Sequence, residues 1–460
     1  MIALKASEIA TIVGGKLVGD DVLVTANPTL NSQDAAPGSL FIAIKGERVD
    51  GHDFAESAFE RGAVLAFAER SIPTRHILVK NSTAALGLLA KEVRARLNQM
   101  QVIAITGSQG KTTTKELLTA ILSSHAPTVA PQGNFNNELG LPLSLLRCNE
   151  STQYAIVEMG ARHIGDISSL CEIAQPNIGV VLRVGAAHLG EFGGIEKVAQ
   201  AKSELISALS HEAVAILGRY DSFTPAMAGL HDGKVLTFGD ASGADVRAAD
   251  VELREGRPHF DLVTPAGRIS IALRLVGAHQ ISNALAAAAV AHALGISIDD
   301  IASALSMAES HAKWRMELHE LEDLLIINDS YNASPDSMDA ALRTLSLLAQ
   351  ERGGESWAFL GKMHELGESS AAEHQKIGTL ALELGVDHLV CVGTPEFAES
   401  IPANSSMSVH LCADQNQALT LAGEMNRGDI ALFKASRSEK LDELCSAVEG
   451  MWNNKMEKAE

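Results

Sequence analysis

Lys111 and Thr112 stand directly behind two glycines, Gly107 and Gly110, in the stretch QVIAITGSQGKTTTKELL from Gln101 to Leu118. Residue types in that order suit one task, holding a chain of phosphates. Glycines let backbone N–H groups turn into one concavity, and a helix start adds partial positive charge. A lysine at that point reaches the outer phosphates, and a threonine hydroxyl holds Mg²⁺. The pattern is the short form T-G-x-x-G-K-T-T. Ile105 stands where the longer G-x-x-x-x-G-K-[ST] form has its first glycine. Thr106, Gly107, Ser108, Gln109, Gly110, Lys111, Thr112 and Thr113 are therefore the candidate nucleotide-binding residues. The competing reading is a glycine-rich turn with a solvated lysine. The apolar strand before the loop and the helical pattern after it disfavour that reading.

Other candidates fall where strands end. YAIVEMG places Glu158 at the C-terminal end of a buried strand, the edge where ligands bind in a doubly wound sheet. A carboxylate beside a phosphate loop is a natural Mg²⁺ ligand. His188 follows a strand at Gly179 to Val184, and Lys202 comes 14 residues later on a helix. Taken alone, these two read as a polar loop residue and a solvated helix lysine. His279 and Asn283 share one face of an alanine-rich helix. Asp329 and Asn332 follow a strand of Leu and Ile, in NDSYNASP. Arg315 lies at a seam between units, where a cation can close onto phosphate. The loop Lys45 to Phe54 reads equally as a binding loop or a solvated turn.

The elements that must position these groups alternate as strand and helix, the rhythm of α/β layers. Residues 1–97 read as a small N-terminal α/β unit. Its strands are expected at Leu40 to Ile44 and Ala63 to Ala68, and its helices at Ala55 to Arg61 and Ala84 to Leu97. Residues 98–312 read as a central phosphate-loop ATPase unit with a mainly parallel sheet. Expected strands follow the loop at Ala155 to Val157, Gly179 to Val184, Ala213 to Leu217 and Val235 to Phe238. From Asp245 to Leu275 short alternating runs with glycine and proline turns predict antiparallel hairpins on one edge of that sheet. A long helix, His279 to Leu294, closes the unit. Residues 313–460 read as a Rossmann-like C-terminal unit, with strands at Leu324 to Asn328, Trp357 to Leu360, His388 to Val392 and Ile430 to Lys434. Ser7 reads as a helix cap, and the charged end from Asn453 as a frayed tail.

A chain of 460 residues is too long for one core. Its formal charge of −20 argues against a nucleic acid or an acidic membrane as partner. An anionic substrate stays open, because a local cationic pocket decides binding once salt screens beyond about 8 Å. Five scattered cysteines with no C-x-x-C pair read as core residues of a reducing compartment. No apolar run reaches the length of a membrane span, and the N-terminus lacks a signal-peptide shape. The expectation is a cytoplasmic monomer with no membrane insertion.

In order and spacing, the motifs resemble those of the Mur ligases of peptidoglycan synthesis, over nearly the whole chain. TGSQGKTTTKE is similar to the family's ATP loop, and GNFNNELGLPLSLL to the segment after its first helix. VEMGARHIGDI carries a metal glutamate at Glu158. AAHLGEFGGIEKVAQAKSE carries a metal histidine at His188 and a modified lysine at Lys202. GAHQISNALAA carries an adenine-side asparagine at Asn283. NDSYNASPDSM and GKMHELGESSAAEH point to the branch that adds D-alanyl-D-alanine. The resemblance implies a three-unit fold in which the small N-terminal unit binds the UDP substrate, and it implies ATP and two Mg²⁺ ions. Thr112 and Glu158 would hold the first ion, and His188 and a carbamylated Lys202 the second. With Lys111, the residues Glu158, His188 and Lys202 form the implied catalytic set. Asn283, Arg315, Asp329 and Asn332 join the nucleotide contacts. The implied substrates are UDP-N-acetylmuramoyl-tripeptide and D-alanyl-D-alanine, joined through an acyl phosphate.

The chain departs from the family's usual pattern in places. Asn31-Ser32-Gln33 replaces a charged Asp-Ser/Thr-Arg motif, Trp314 a glycine before the seam arginine, and Lys362 a common aspartate. Ala435 replaces a glycine in the Lys-Gly-Ser-Arg pattern, and Gly218-Arg219-Tyr220-Asp221 stands for Asn-Ala-Asp-Asp. The alternatives are a related amide ligase, such as a folylpolyglutamate synthase, or a nucleotide-binding partner protein without ligase activity. The N-terminal unit and SYNASPDSM argue against the first. Intact Lys111, Glu158 and Lys202 argue against the second.

Overall fold

The computed structural model describes the whole chain except Glu47, Gln132, Asn134, Ala187, His188, His311 and residues 458–460. The strand Gln101–Thr106 is buried at every position after the first. A run apolar on both faces needs helices on both sides. Alternation sorts its side chains: Val102 and Ala104 enter one core cluster, Ile103 and Ile105 the other. It lies within six parallel strands ordered Lys234–Phe238, Val214–Gly218, Ile178–Val181, Gln101–Thr106, Tyr154–Glu158, Thr128–Val129. The chain passes first to one side of Gln101–Thr106 and then to the other. A crevice opens at such a switch point, beyond the C-terminal ends of the strands.

The helices Lys111–Ser123 and Gln280–Ala293 cover one face. The second of these is buried from Ala284 through Ala291, and its small side chains let the two helices lie close. Ser82–Arg96, Gly140–Leu145, Asp166–Ala174 and Ile195–Ser207 contribute to the core on the other face.

The first unit has a four-stranded sheet, in the order Lys16–Val18, His76–Leu78, Leu65–Ala68, Leu40–Ile42, and a small antiparallel pair, Leu4–Lys5 with Leu23–Val24. The third unit has six strands, ordered Glu317–Leu321, Leu324–Asn328, Ile430–Lys434, Ser356–Leu360, His388–Val392, Ser408–Cys412. Only its first strand is antiparallel to its neighbour.

Some expectations need correction. The hairpins Arg247–Arg254, Arg257–Thr264 and Gly267–Ala272 form an antiparallel sheet of their own. A single bridge, Phe238 with Val246, ties the parallel sheet to the segment leading into them. Ser7 does not cap its helix, which spans Ala6–Val13. Instead the Asp21 carboxylate accepts from Ser7 N at 2.8 Å and Ser7 Oγ at 2.9 Å, a cap supplied from a distance. The charged tail is helical through Glu457, because Leu441–Glu457 continues with Trp452 buried.

Candidate active site

The loop between Gln101–Thr106 and Lys111–Ser123 is shaped by its glycines. Gly110 has φ 84° and caps the helix, and a Cβ there would stand 2.3 Å from Asn283 Oδ1. A Cβ on Gly107 would stand 2.9 Å from Leu182 Cβ. Lys111 Nζ folds back and donates to the Gly107 carbonyl at 2.6 Å. Burial holds the Lys111 ammonium below its usual range. Glu158 opposes that shift, and the charge of Arg315 adds to it. The seam arginine of the third unit therefore reaches the loop electrostatically. Thr106 lies beneath the loop, fully buried, with its hydroxyl donating to the Met159 carbonyl at 2.8 Å. It ties two strand ends together.

Glu158 ends its strand as expected and is buried. Its Oε2 accepts from Thr112 Oγ1 at 3.4 Å. Its Oε1 has no hydrogen-bond partner, although Lys115 Nζ is an ion-pair neighbour at 3.2 Å. Lys115 is buried one helical turn beyond Lys111 and also donates to the Gly133 carbonyl at 3.2 Å. A buried carboxylate oxygen without a hydrogen bond, beside a hydroxyl, is a donor set that fits a hard divalent cation.

Lys202 is buried in Ile195–Ser207. Burial, aided by repulsion from Lys111, pushes its ammonium down to about 7, so near neutrality much of it is the free amine. His188 lies outside the described residues. Among those residues no three His, Cys, Asp or Glu side chains converge as a metal cluster. Asn283 donates to Gln280 Oε1 at 2.8 Å, and its Oδ1 accepts from Thr114 Oγ1 at 3.4 Å. His279, at the start of the same helix, is held down to about 4 by burial. Asp329 pulls it up and Lys434 pushes it further down.

The third unit brings its residues to the same place. Arg315 stacks over the Tyr331 ring at 4.0 Å. Lys434, buried, donates to Asp329 Oδ2 at 2.5 Å and to the Asn332 carbonyl at 3.0 Å. Asp336 Oδ2 accepts from Ala186 N at 3.2 Å, next to the loop partner Gly185.

A cavity of about 1570 Å³ collects the set. Ser108 to Thr113, Glu158, Asn283, Arg315, Asp329 and Asn332 all line it, and the first unit contributes Leu30. Lys202 is not among the lining residues. The motif Asn31-Ser32-Gln33 lies next to Leu30, and Asn31 spends its side chain on its own turn: Oδ1 accepts from Gln33 N, and Nδ2 donates to Asp34. In the 45–54 loop the described contacts of His52 are structural. His52 pairs with Asp50 and accepts from Glu69 N at 2.9 Å.

Sequence reasoning gave no site role to Lys115, Arg183, Asp336 or Lys434, the last named only as a strand end and as part of the Lys-Gly-Ser-Arg pattern. Lys115 carried a usable signal, since it stands four residues after Lys111 and so shares its helix face. Arg183 lines the cavity with a buried Nε that has no hydrogen-bond partner.

Three family models match in sequence order: Mur ligase family, catalytic domain, over residues 27–104; Mur ligase middle domain over 105–291; and Mur ligase, glutamate ligase domain, over 314–437. The chain is also 39% identical to UDP-N-acetylmuramoyl-tripeptide–D-alanyl-D-alanine ligase of Mycobacterium tuberculosis, over 97% of this chain and 98% of that one. The chain belongs to the Mur ligase family. Solved Mur ligases share its architecture. A crystal structure of MurF from Acinetobacter baumannii superposes with a TM-score of 0.89 at 35% identity, over 98% of this chain and 99% of that one. MurF from Thermotoga maritima, in complex with ADP, gives 0.81 at 30% identity, over 94% and 99%. In this Mur ligase the matched segments cover most of the three main sheets, and residues from all three segments line the cavity.

Proposed function

We propose that the chain joins D-alanyl-D-alanine to the terminal carboxylate of a UDP-N-acetylmuramoyl-tripeptide, converting ATP to ADP and phosphate. The observation that carries this reading is the shared cavity. The phosphate loop, the Thr112–Glu158 pair and Arg315 face one space larger than a single-ligand pocket of about 300–1,000 Å³. The substrates are those in the names of relatives matched over nearly the full chain, and ADP is bound in one of the similar structures.

The chemistry asks mostly for charge neutralisation and alignment. A tripeptide carboxylate oxygen attacks the γ-phosphorus as the bond to the ADP oxygen breaks, giving an acyl phosphate. The amine of D-alanyl-D-alanine then attacks the acyl carbon, phosphate leaves with the electron pair, and the nitrogen loses a proton. Lys111 exchanges its bond to the Gly107 carbonyl for phosphate oxygens. Arg315 faces the same charge from the third unit. Asn283, Asp329 and Asn332 hold the nucleotide. Thr112 and Glu158 would hold one Mg²⁺, and His188 with a carbamylated Lys202 a second. Bound there, these ions would neutralise charge on the phosphates. Lys202 offers oxygen donors only as its carbamate, and its buried amine is the form that reacts with CO₂.

We place the unit seams at 97/98 and 312/313, and the protein in the cytoplasm as a monomer. The sheets support these seams, since none shares a strand across either position.

The decisive experiment is ADP release with UDP-peptide, with and without D-alanyl-D-alanine, against a panel of other amines. Release that ignores D-alanyl-D-alanine, or prefers another amine, overturns the reading. The carbamate has its own test. Lys202→Ala loses most turnover and regains part with acetate, while Lys202→Arg stays inactive. Near-normal turnover by the Arg variant removes the carbamate.

A further inference from the structure

Arg315 is flanked by two residues in backbone conformations that side-chain-bearing residues rarely adopt. Trp314 has φ 61° and Met316 has φ 52°. Such strain persists only where the surroundings over-determine it, and it gathers at functional sites. Here the restraints are explicit. Trp314 N donates to Glu317 Oε2 at 2.8 Å, and the Trp314 carbonyl accepts from Tyr331 N at 3.0 Å. Met316 N donates to Asp329 Oδ1 at 3.2 Å. The Trp314 ring carries the Arg437 guanidinium 4.1 Å from its centroid, and Asp442 holds that guanidinium at 2.5 Å. Between the two kinked residues, Arg315 lines the cavity, stacked on Tyr331. Trp314 itself does not line it. The strain thus sits on the neighbours of Arg315, a third-unit cation whose charge reaches Lys111.

We infer that Trp314 is a positioning residue for phosphoryl transfer: its left-handed backbone, clamped by the Arg437 stack, aims Arg315 at the phosphates held by the loop. The inference rests on the ligase reading above. It predicts that strain is exchanged for rate, a signature that a purely structural tryptophan does not give. Trp314→Gly relaxes φ and removes the ring. Its melting temperature should equal or exceed that of the wild type, while kcat falls about tenfold or more and KM for UDP-peptide stays within about twofold. Trp314→Phe keeps a ring under Arg437, and its kcat should stay within about threefold of wild type. Arg437 also lines the cavity, so the stack is read from non-additivity: combining Trp314→Gly with Arg437→Met should cost less than the sum of the two single changes.

Three results overturn the inference: a Gly variant with wild-type kcat, a Phe variant as slow as the Gly variant, or a Gly variant that loses melting temperature along with turnover. Failure of the ligase reading shows separately, as wild-type protein that releases no ADP with both substrates. The melting comparison needs no turnover and still tests the strain.

Discussion

The two seams of this molecule are made of different materials. Between the first and second units the core is continuous. Leu86, Leu89, Ala90 and Val93 pack in one cluster with Leu141, Ile167 and Leu170. Arg94 is buried in that seam and donates to the carbonyls of Leu97, Ala174 and Gln175 and to Asn177 Oδ1. Between the second and third units the junction is mostly polar. Among the described residues, the third unit's helix-packed core borrows only Val276 from the central unit. Ala186 N donates to Asp336, and Gly190 N to the Glu365 carbonyl at 2.9 Å. A shared core cannot part without exposing apolar surface, whereas hydrogen bonds can be exchanged for water. The second seam is therefore the one that can part at lower cost, and the candidate active site lies there.

The sharpest way to break this contrast is a site variant that unfolds the protein. Lys111→Ala should lower turnover about a thousandfold or more, with an unchanged melting temperature, because the residue faces the cavity and leaves no hole in the core. A collapse of the melting temperature would mean that the loop is part of the structural core. The converse variant is Arg94→Met. It strands several buried acceptors and should cost about 3 kcal/mol in denaturant unfolding, while turnover per folded molecule survives. A cost below about 1 kcal/mol would make the first seam as soft as the second.

A third test acts on the second seam. Asp336→Ala should cost less than about 1 kcal/mol. Wild-type protein with an ATP analogue and UDP-peptide should scatter X-rays as a more compact particle, and the variant should contract less. Equal radii with and without ligands would deny motion at this seam.

The smallest effect is a pH dependence. The folded-state pKa of His279, about 4, lies below the ordinary value of 6.5. The unfolded chain therefore binds the extra proton first as pH falls. The contribution is fully present above about pH 6.5 and is lost as pH falls toward 4. His279→Gln should flatten that part of the melting-temperature profile. An unchanged slope between pH 7 and 4 would place the histidine in water.

What the sequence discloses follows the range of the interactions involved. The phosphate loop is legible because strand, glycines, lysine and helix lie within one short stretch. Glu158 is legible because a strand's end is a local fact with a global meaning. Lys115 is legible only as a neighbour of Lys111 on one helix face; its partner is a carboxylate brought in by a distant strand, and Arg94 and Asp336 depend on distant partners in the same way. The edge strands Glu317–Leu321 and Ser408–Cys412 also escape. Each is mostly half-buried or exposed and mixes polar with apolar residues, so neither shows the apolar run of the central strands. The hairpins show their antiparallel pattern, but that they form a separate sheet is settled by packing.

The alanine-rich helix behind the phosphate loop has a consequence for thermal behaviour. Alanine has no rotamers to freeze, so packing Ala286 to Ala289 beside the helix Lys111–Ser123 costs almost no side-chain entropy. The same surface has no alternative rotamers through which the loop helix could shift on warming. The floor under the phosphates keeps one packing arrangement until the unit melts.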